Sequence, residues 1–522
     1  MRWVSNVKAI RKWGIRQLSC SILLTNLSAS LLGCATSSIE MAPDQPDRPW
    51  VPATTATGEI IPGEKATPEQ TIGATYTLPG NSELAGLPSA YELDPKHTYS
   101  LAELIDIAQS NNPLTRTAWN KAREVALAAG IAKSTYLPRL TAAAIGGYQL
   151  AQIAGPLGTT ITNQLHGTIS LVSFEWLLFD FGERDAIVEA ANQASVISNI
   201  GFTGAHQKLI YDVSLAFYTH AAAHARVGNA VQSLKNAESV EAAAEDRMKR
   251  GIGTVVEVAQ AHQAVAQARL VKIQARGAAQ NGYLTLISAI GISPLTQIKI
   301  ADVSDRKLSP EMEGSVEKII SIALARRPDV LAAYAAQKAS LANVRAVEAE
   351  FLPKVFISGT GSYNNGALSV SGIPAVGNVS PIYNLSGKNF GATAFAGVAV
   401  PVYDAGTRAA ILEQAQAKSD NAGLALSRTR DEVVREIVLA NNGLRTSLSA
   451  HTAAIAVASA AKTTFDAALT SYRSGVGSIT DATVAESQLL QARNASTDAY
   501  STALSAAATL ALATGSLGAP LQ

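Results

Sequence analysis

A ten-residue pattern occurs twice in this chain, and it limits what the chain can fold into. One copy is Met248-Lys249-Arg250-Gly251-Ile252-Gly253-Thr254-Val255-Val256-Glu257. The other is Tyr472-Arg473-Ser474-Gly475-Val476-Gly477-Ser478-Ile479-Thr480-Asp481. Each reads Gly-x-Gly-Thr/Ser with an acid six residues after the first glycine, and each lies between long Ala-rich stretches. Glycine suits the end of an incoming helix, and Thr254 or Ser478 suits the cap of an outgoing one. The acid then lies at the positive end of the helix dipole. The pattern predicts two helical hairpins with matched tips. It is not a phosphate loop, because no strand precedes either copy.

The duplication extends beyond the tips. Asn112-Pro113 corresponds to Arg327-Pro328, and Tyr136-Leu137-Pro138 to Phe351-Leu352-Pro353, both at an offset of 215. Phe179-Asp180-Phe181-Gly182 corresponds to Tyr403-Asp404-Ala405-Gly406, and Gly291 to Gly515, both at 224, as for the tips. Nine extra residues therefore lie between Pro353 and Tyr403. Each half predicts one helix (101–137; 315–352), then a Gly/Ser/Thr-rich β segment (139–178; 354–402). A helix of 69 residues follows (182–250; 406–474), then the tip and a return helix (254–290; 478–514). At 1.5 Å per residue the long helix spans roughly 100 Å. Composition agrees, with 20 alanines among the 64 residues 450–513. Alanine favours helix and close helix packing and gives a thin core.

The segments between helices read as β-hairpins with strands of about 10–13 residues and loops at 155–162 and 364–388, a length suited to tilted membrane-spanning strands. Each chain offers four strands. Four cannot close a barrel, and open edges cannot face lipid, so membrane-spanning strands require an oligomer. The fold class expected is mainly α with a transmembrane β-barrel, built from a duplicated helix–β-hairpin–helix unit.

The N-terminus reads as a processing signal. Arg2, Lys8, Arg11, Lys12 and Arg16 precede a moderately apolar stretch, Leu18 to Leu32, ending Leu31-Leu32-Gly33-Cys34. This resembles a bacterial lipoprotein signal, residues 1–33, in which Cys34 is acylated. Cys34 is then the only cysteine of the mature chain, which excludes an intrachain disulfide. Residues 35–96 hold nine prolines and no helical period, so 34–97 is expected to be an extended linker. The first repeat is assigned 98–300, a linker 301–314, the second repeat 315–516, and a tail 517–522.

The net charge of +1 gives no footing for nucleic acid. His220 and His224 are spaced like a metal pair on a helix but have no evident third ligand. Asp180-Phe181-Gly182 spells a kinase triplet without the other kinase motifs and reads better as a helix cap. No Ser/His/Asp site, Walker loop or cysteine cluster is evident. No enzyme activity, cofactor or metal is expected.

The duplicated layout, the tips, the two junction motifs and Cys34 together resemble the TolC-like outer membrane factor family over about residues 98–515. The resemblance implies a homotrimer with a 12-stranded β-barrel in outer membrane lipid and a long α-helical barrel in the periplasm. It also implies an inner-membrane pump and a periplasmic adaptor as partners in efflux or type I secretion. The adaptor-docking tips fall on Gly251, Gly253, Gly475 and Gly477. Asp481 matches the first aspartate of a ring that narrows the pore entrance, while the second position is Val484. Tyr472 matches a tyrosine bonded to an acid on the neighbouring hairpin, where Glu257 stands. Gly477 occupies the place of an inter-subunit arginine found in some members, so Arg473, Arg247 or Arg250 are the candidate replacements. The expected periplasmic gate is Glu257, Tyr472, Arg473 and Asp481. The competing reading is a structural or adhesive surface lipoprotein on a coiled-coil stalk, which has no need of two matched acidic turns.

Overall fold

The computed structural model describes residues 42–43, 45–66, 75–86, 92–154, 160–303, 316–371 and 382–518. The signal, Cys34, the 155–159 and 372–381 turns, and most of the 301–314 linker lie outside these residues. The chain forms two compact units, divided between Ser89 and Ala90. In the first, β1 (Pro52–Thr54) pairs antiparallel with β2 (Ile60–Lys65). The expected extended linker thus contains a short hairpin.

The second unit holds both repeats. It begins with β3 (Thr98–Tyr99), α1 (Leu101–Asn111) and α2 (Pro113–Ser134). Then come β4 (Arg139–Ala154), β5 (Thr160–Phe179), α3 (Glu183–Lys249), α4 (Val255–Ile290) and β6 (Lys299–Ile300). The second repeat is α5 (Val316–Arg326), α6 (Pro328–Ala349), β7 (Lys354–Ser371), β8 (Ile382–Ala399), α7 (Thr407–Arg473) and α8 (Ile479–Ala513). The long helices are 67 residues each.

The expected first helices, 101–137 and 315–352, are each broken in two. Proline lacks the N–H for the helical ladder and forces the preceding residue out of the α region. Asn112 and Arg327 are accordingly extended, at ψ 128 and 130. Each then ties the break to the end of the return helix: Asn112 Nδ2 donates to the Ala289 carbonyl (3.1 Å), Arg327 Nη1 to that of Ala513 (2.9 Å).

The strands are also longer than expected, at 16, 20, 18 and 18 residues. Residues 160–162 and 364–371, expected in loops, are instead paired in register across the sheet. Five of the nine extra residues of the second repeat fall between β7 and β8, where ten residues (372–381) stand against five (155–159) between β4 and β5. The stretch before α7 also lengthens, from three residues (180–182) in the first repeat to seven (400–406) in the second.

The two repeats are not separate domains. Helix α3 packs on α2, α4, α6 and α8, and α7 packs on α6 and α8. Near the strands the row is therefore α2-α3-α6-α7; toward the tips it is α4-α3-α8-α7. A central core gathers Leu104, Val213, Phe217, Leu286, Ile287 and Ile290 under the parallel β3–β6 pair. No described helix is long and apolar enough to cross a membrane.

Candidate functional site

Three places in this unit carry features that packing alone does not require: the sheet, the strand–helix junctions and the hairpin tips.

The sheet is antiparallel in the order β4-β5-β7-β8, and among the described residues β4 and β8 are each paired on one side only. The register aligns Ala142, Val172, Gly361 and Ala392 in one row and Leu140, Phe174, Gly359 and Ala394 in another on the same face. The intervening row, on the opposite face, is Thr141, Ser173, Thr360 and Thr393. Close to the helices the sheet thus has one apolar face and one hydroxyl-rich face, the division that a bilayer on one side and water on the other demand.

At the first junction Asp180 accepts the Arg184 backbone N–H (3.1 Å) and its Nε (2.6 Å), so the triplet Asp180-Phe181-Gly182 caps α3 as read. Arg184 Nη1 donates onward to the carbonyls of Leu177 (2.7 Å) and Thr135 (3.2 Å), joining strand to helix. Phe181 and Ala405 both sit at positive φ, 54° and 57°, ahead of the positive-φ glycines 182 and 406. Both copies bend the same way. Asp404 and Arg408 repeat the ion pair at 2.5 Å. Tyr136 donates to Asp185, whose carboxylate pushes the phenol up to about 12. Lys354 bonds Glu183 across the repeats at 2.5 Å. Nothing in the sequence pattern signals this last contact.

At the tips the four glycines act in two ways. Gly251 and Gly475 lie at φ +74° and +83°, a region strained for any residue with a Cβ. Gly253 and Gly477 instead pass close to the helix they follow. A Cβ at Gly253 would come within 2.8 Å of the Met248 backbone nitrogen, and one at Gly477 within 3.0 Å of the Ser471 Cβ. Thr254 caps α4 by accepting from Glu257 N–H (3.2 Å), and Ser478 and Asp481 form a reciprocal capping box.

Of the expected gate residues, the structure brings two together. Tyr472 is fully buried, and its hydroxyl donates to Glu257 Oε2 (3.2 Å). Burial, then the Glu257 charge, pushes the phenol pKa up. Its ring belongs to a core shared by all four tip helices: Val240, Ala244, Val258, Ala261, Phe465, Ile479 and Leu489 surround it. Asp481 is exposed and is bonded within its own capping box. Arg473 is exposed and has no ion pair among the described residues. Arg250 pairs with Asp246 on its own helix. Arg247 is the cation that reaches the Tyr472–Glu257 pair.

His220 and His224 face each other at 6.2 Å between ring centroids, with Tyr283 5.9 Å from His220. Burial, then His224, lowers the His220 pKa. Among the described residues no group of three His, Cys, Asp or Glu is placed to hold a metal.

One long helix with its return helix, duplicated around a four-stranded sheet, is a fold shared with solved outer membrane proteins. VceC from Vibrio cholerae has it, with a TM-score of 0.63 over 80% of this chain and 96% of that one, at 20% identity. The family sequence model described as Outer membrane efflux protein matches residues 104–292 and 319–516, so the chain belongs to that family. Among its relatives are protein CyaE of Bordetella pertussis, 25% identical over 413 residues (78% of this chain, 81% of the relative), and outer membrane protein OprJ of Pseudomonas aeruginosa, 26% identical over 380 residues (72% and 75%). The protein is an outer membrane channel of the efflux and secretion type, and members of the family are channels rather than enzymes.

Proposed function

We propose that three copies of this chain form a passive duct from the periplasm to the exterior, fed by an inner-membrane pump through a periplasmic adaptor. The observation that carries this reading is the open sheet. Its β4 and β8 edges are free, and free edges are not tolerated in lipid. The helical rows end the same way. Helices α2 and α4 lie on the β4 side and α7 on the β8 side, so one rotation brings β8 and α7 of each protomer against β4, α2 and α4 of the next. Twelve strands then close the barrel. The chain itself catalyses nothing; energy comes from the pump.

The tips close the periplasmic end, with Tyr472 and Glu257 holding the two hairpins of a protomer and Asp481 lining the entrance. The glycine turns are the adaptor's docking points. Cys34 carries the lipid anchor, so Cys34→Ser abolishes acylation and leaves trimers that assemble, because the strands do the anchoring. Loss of assembly in that variant would place the main anchor at Cys34 instead.

Cysteines at Thr141 on β4 and Thr393 on β8, which share the hydroxyl-rich face, joined by a short bismaleimide, test the assembly. Bands of two and three chains and none larger are expected. Monomers alone, or a ladder running beyond three, contradict the closed trimer.

A further inference from the structure

We infer that Arg247 is the positioning residue that latches the two hairpins of one protomer together; the inference rests on the reading of the tips as a gate. Arg247 ends α3 next to the tip, and its side chain is only 13% exposed. It reaches across to the second hairpin. Nη1 donates to the Tyr472 carbonyl (3.1 Å), and the guanidinium lies 5.0 Å from the Tyr472 ring centroid. Nη2 donates to the Ile252 carbonyl of its own tip (3.3 Å), and Nε stands 3.9 Å from Glu257 Oε2. One cation therefore touches the last turn of α7, the first tip and the acid that Tyr472 also bonds. A cation there also meets the negative end of the α7 dipole.

The duplication shows that this arrangement is not a by-product of the repeat. The counterpart of Arg247 in the second hairpin is Ser471, and the counterpart of Tyr472 in the first is Met248. The cation has been placed on one hairpin and its aromatic partner on the other, once per chain. Gly475 leaves room for it: a Cβ there would lie 3.2 Å from Arg247 Nη1. The neighbouring cations do not cross over. Arg250 pairs with Asp246, and Lys249 lies 3.9 Å from Glu245, both on α3. Parting the hairpins strips Arg247 from the carbonyl and moves it away from the carboxylate, so the latch opposes opening.

The test uses purified full-length trimers in planar bilayers. Arg247→Gln is expected to raise open probability about tenfold, the factor set by one charge-assisted hydrogen bond. Arg247→Lys keeps the charge but not the planar fork, and is expected to give most of the same rise. Spin labels at Lys249 and Ser474 are expected to report a longer tip-to-tip distance in both variants. Should the Gln variant fail to assemble, the Lys variant carries the test alone. If both Arg247 variants conduct and space their tips as wild type does, while Tyr472→Phe or Glu257→Gln opens the channel, the latch is wrong and the gate stands. If none of these substitutions alters conductance, the gate reading fails with it.

Discussion

Tyr472 is the largest fully buried side chain among the described residues, and it lies four residues from Val476, which is exposed at the tip. That position explains why one hydroxyl matters. Tyr472→Phe keeps the packing and removes the bond to Glu257, so trimer stability should fall by about 1 kcal/mol while leak through the closed channel rises; thermal melts and conductance check the two separately. Glu486, on α8, makes a different case. Its Oε1 is buried without a hydrogen-bond partner among the described residues, and burial raises its pKa against the opposing pull of Ser233 and Arg493. A carboxyl whose folded pKa is raised favours the fold while protonated and loses that contribution as pH rises through the raised value. Glu486→Gln should therefore melt higher than wild type at neutral pH, with the difference vanishing as pH falls into the ordinary carboxylate range. A constant difference across that range contradicts it. At this scale the sequence was legible in part. The capping roles of Thr254, Ser478 and Asp481 follow from residue type and spacing. That Arg247 and not Arg473 reaches the Tyr472–Glu257 pair does not, because it depends on which way each helix face turns in the packed row.

Among elements, the junction motifs link rigid strands to rigid helices, and the two copies differ in burial. The Asp180 and Arg184 side chains are 7% and 10% exposed, those of Asp404 and Arg408 32% and 15%. Removing one partner of a buried ion pair costs about 3–5 kcal/mol, and the cost falls toward about 0–1 kcal/mol as a pair approaches full exposure. Asp180→Ala should thus lower the trimer melting temperature well below that of Asp404→Ala. Equal losses would mean that the local bend, common to both, matters more than the ion pair. Element order and the long helices were readable because alanine content, glycine stops and the 224-residue offset agree. The helix breaks were not, although Pro113 and Pro328 mark them, since helical periodicity on both sides masks a one-residue interruption. The strand ends are not legible, because polar and glycine-rich stretches such as Asn364-Asn365-Gly366 carry no alternating pattern. Their backbones are nonetheless paired on both sides, by β5 and β8, as the ladder requires.

For the whole molecule, one chain supplies a third of each wall: four strands, and a row of four helices at each level. Its free edges recur on the same two sides at every level, so the strand and helix interfaces with neighbouring copies form together. This was legible as arithmetic, four strands being too few to close. Which elements form the edges required the sheet order and the helix rows. The central claim is that the assembled chain is a duct held shut at its hairpin tips, and single-channel recording tests it most directly. Purified wild-type trimers should show small, discrete conductance steps in planar bilayers, and the Tyr472→Phe, Glu257→Gln double variant larger or longer-lived ones. Bilayers in which both proteins are inserted and neither gives discrete steps would contradict the account.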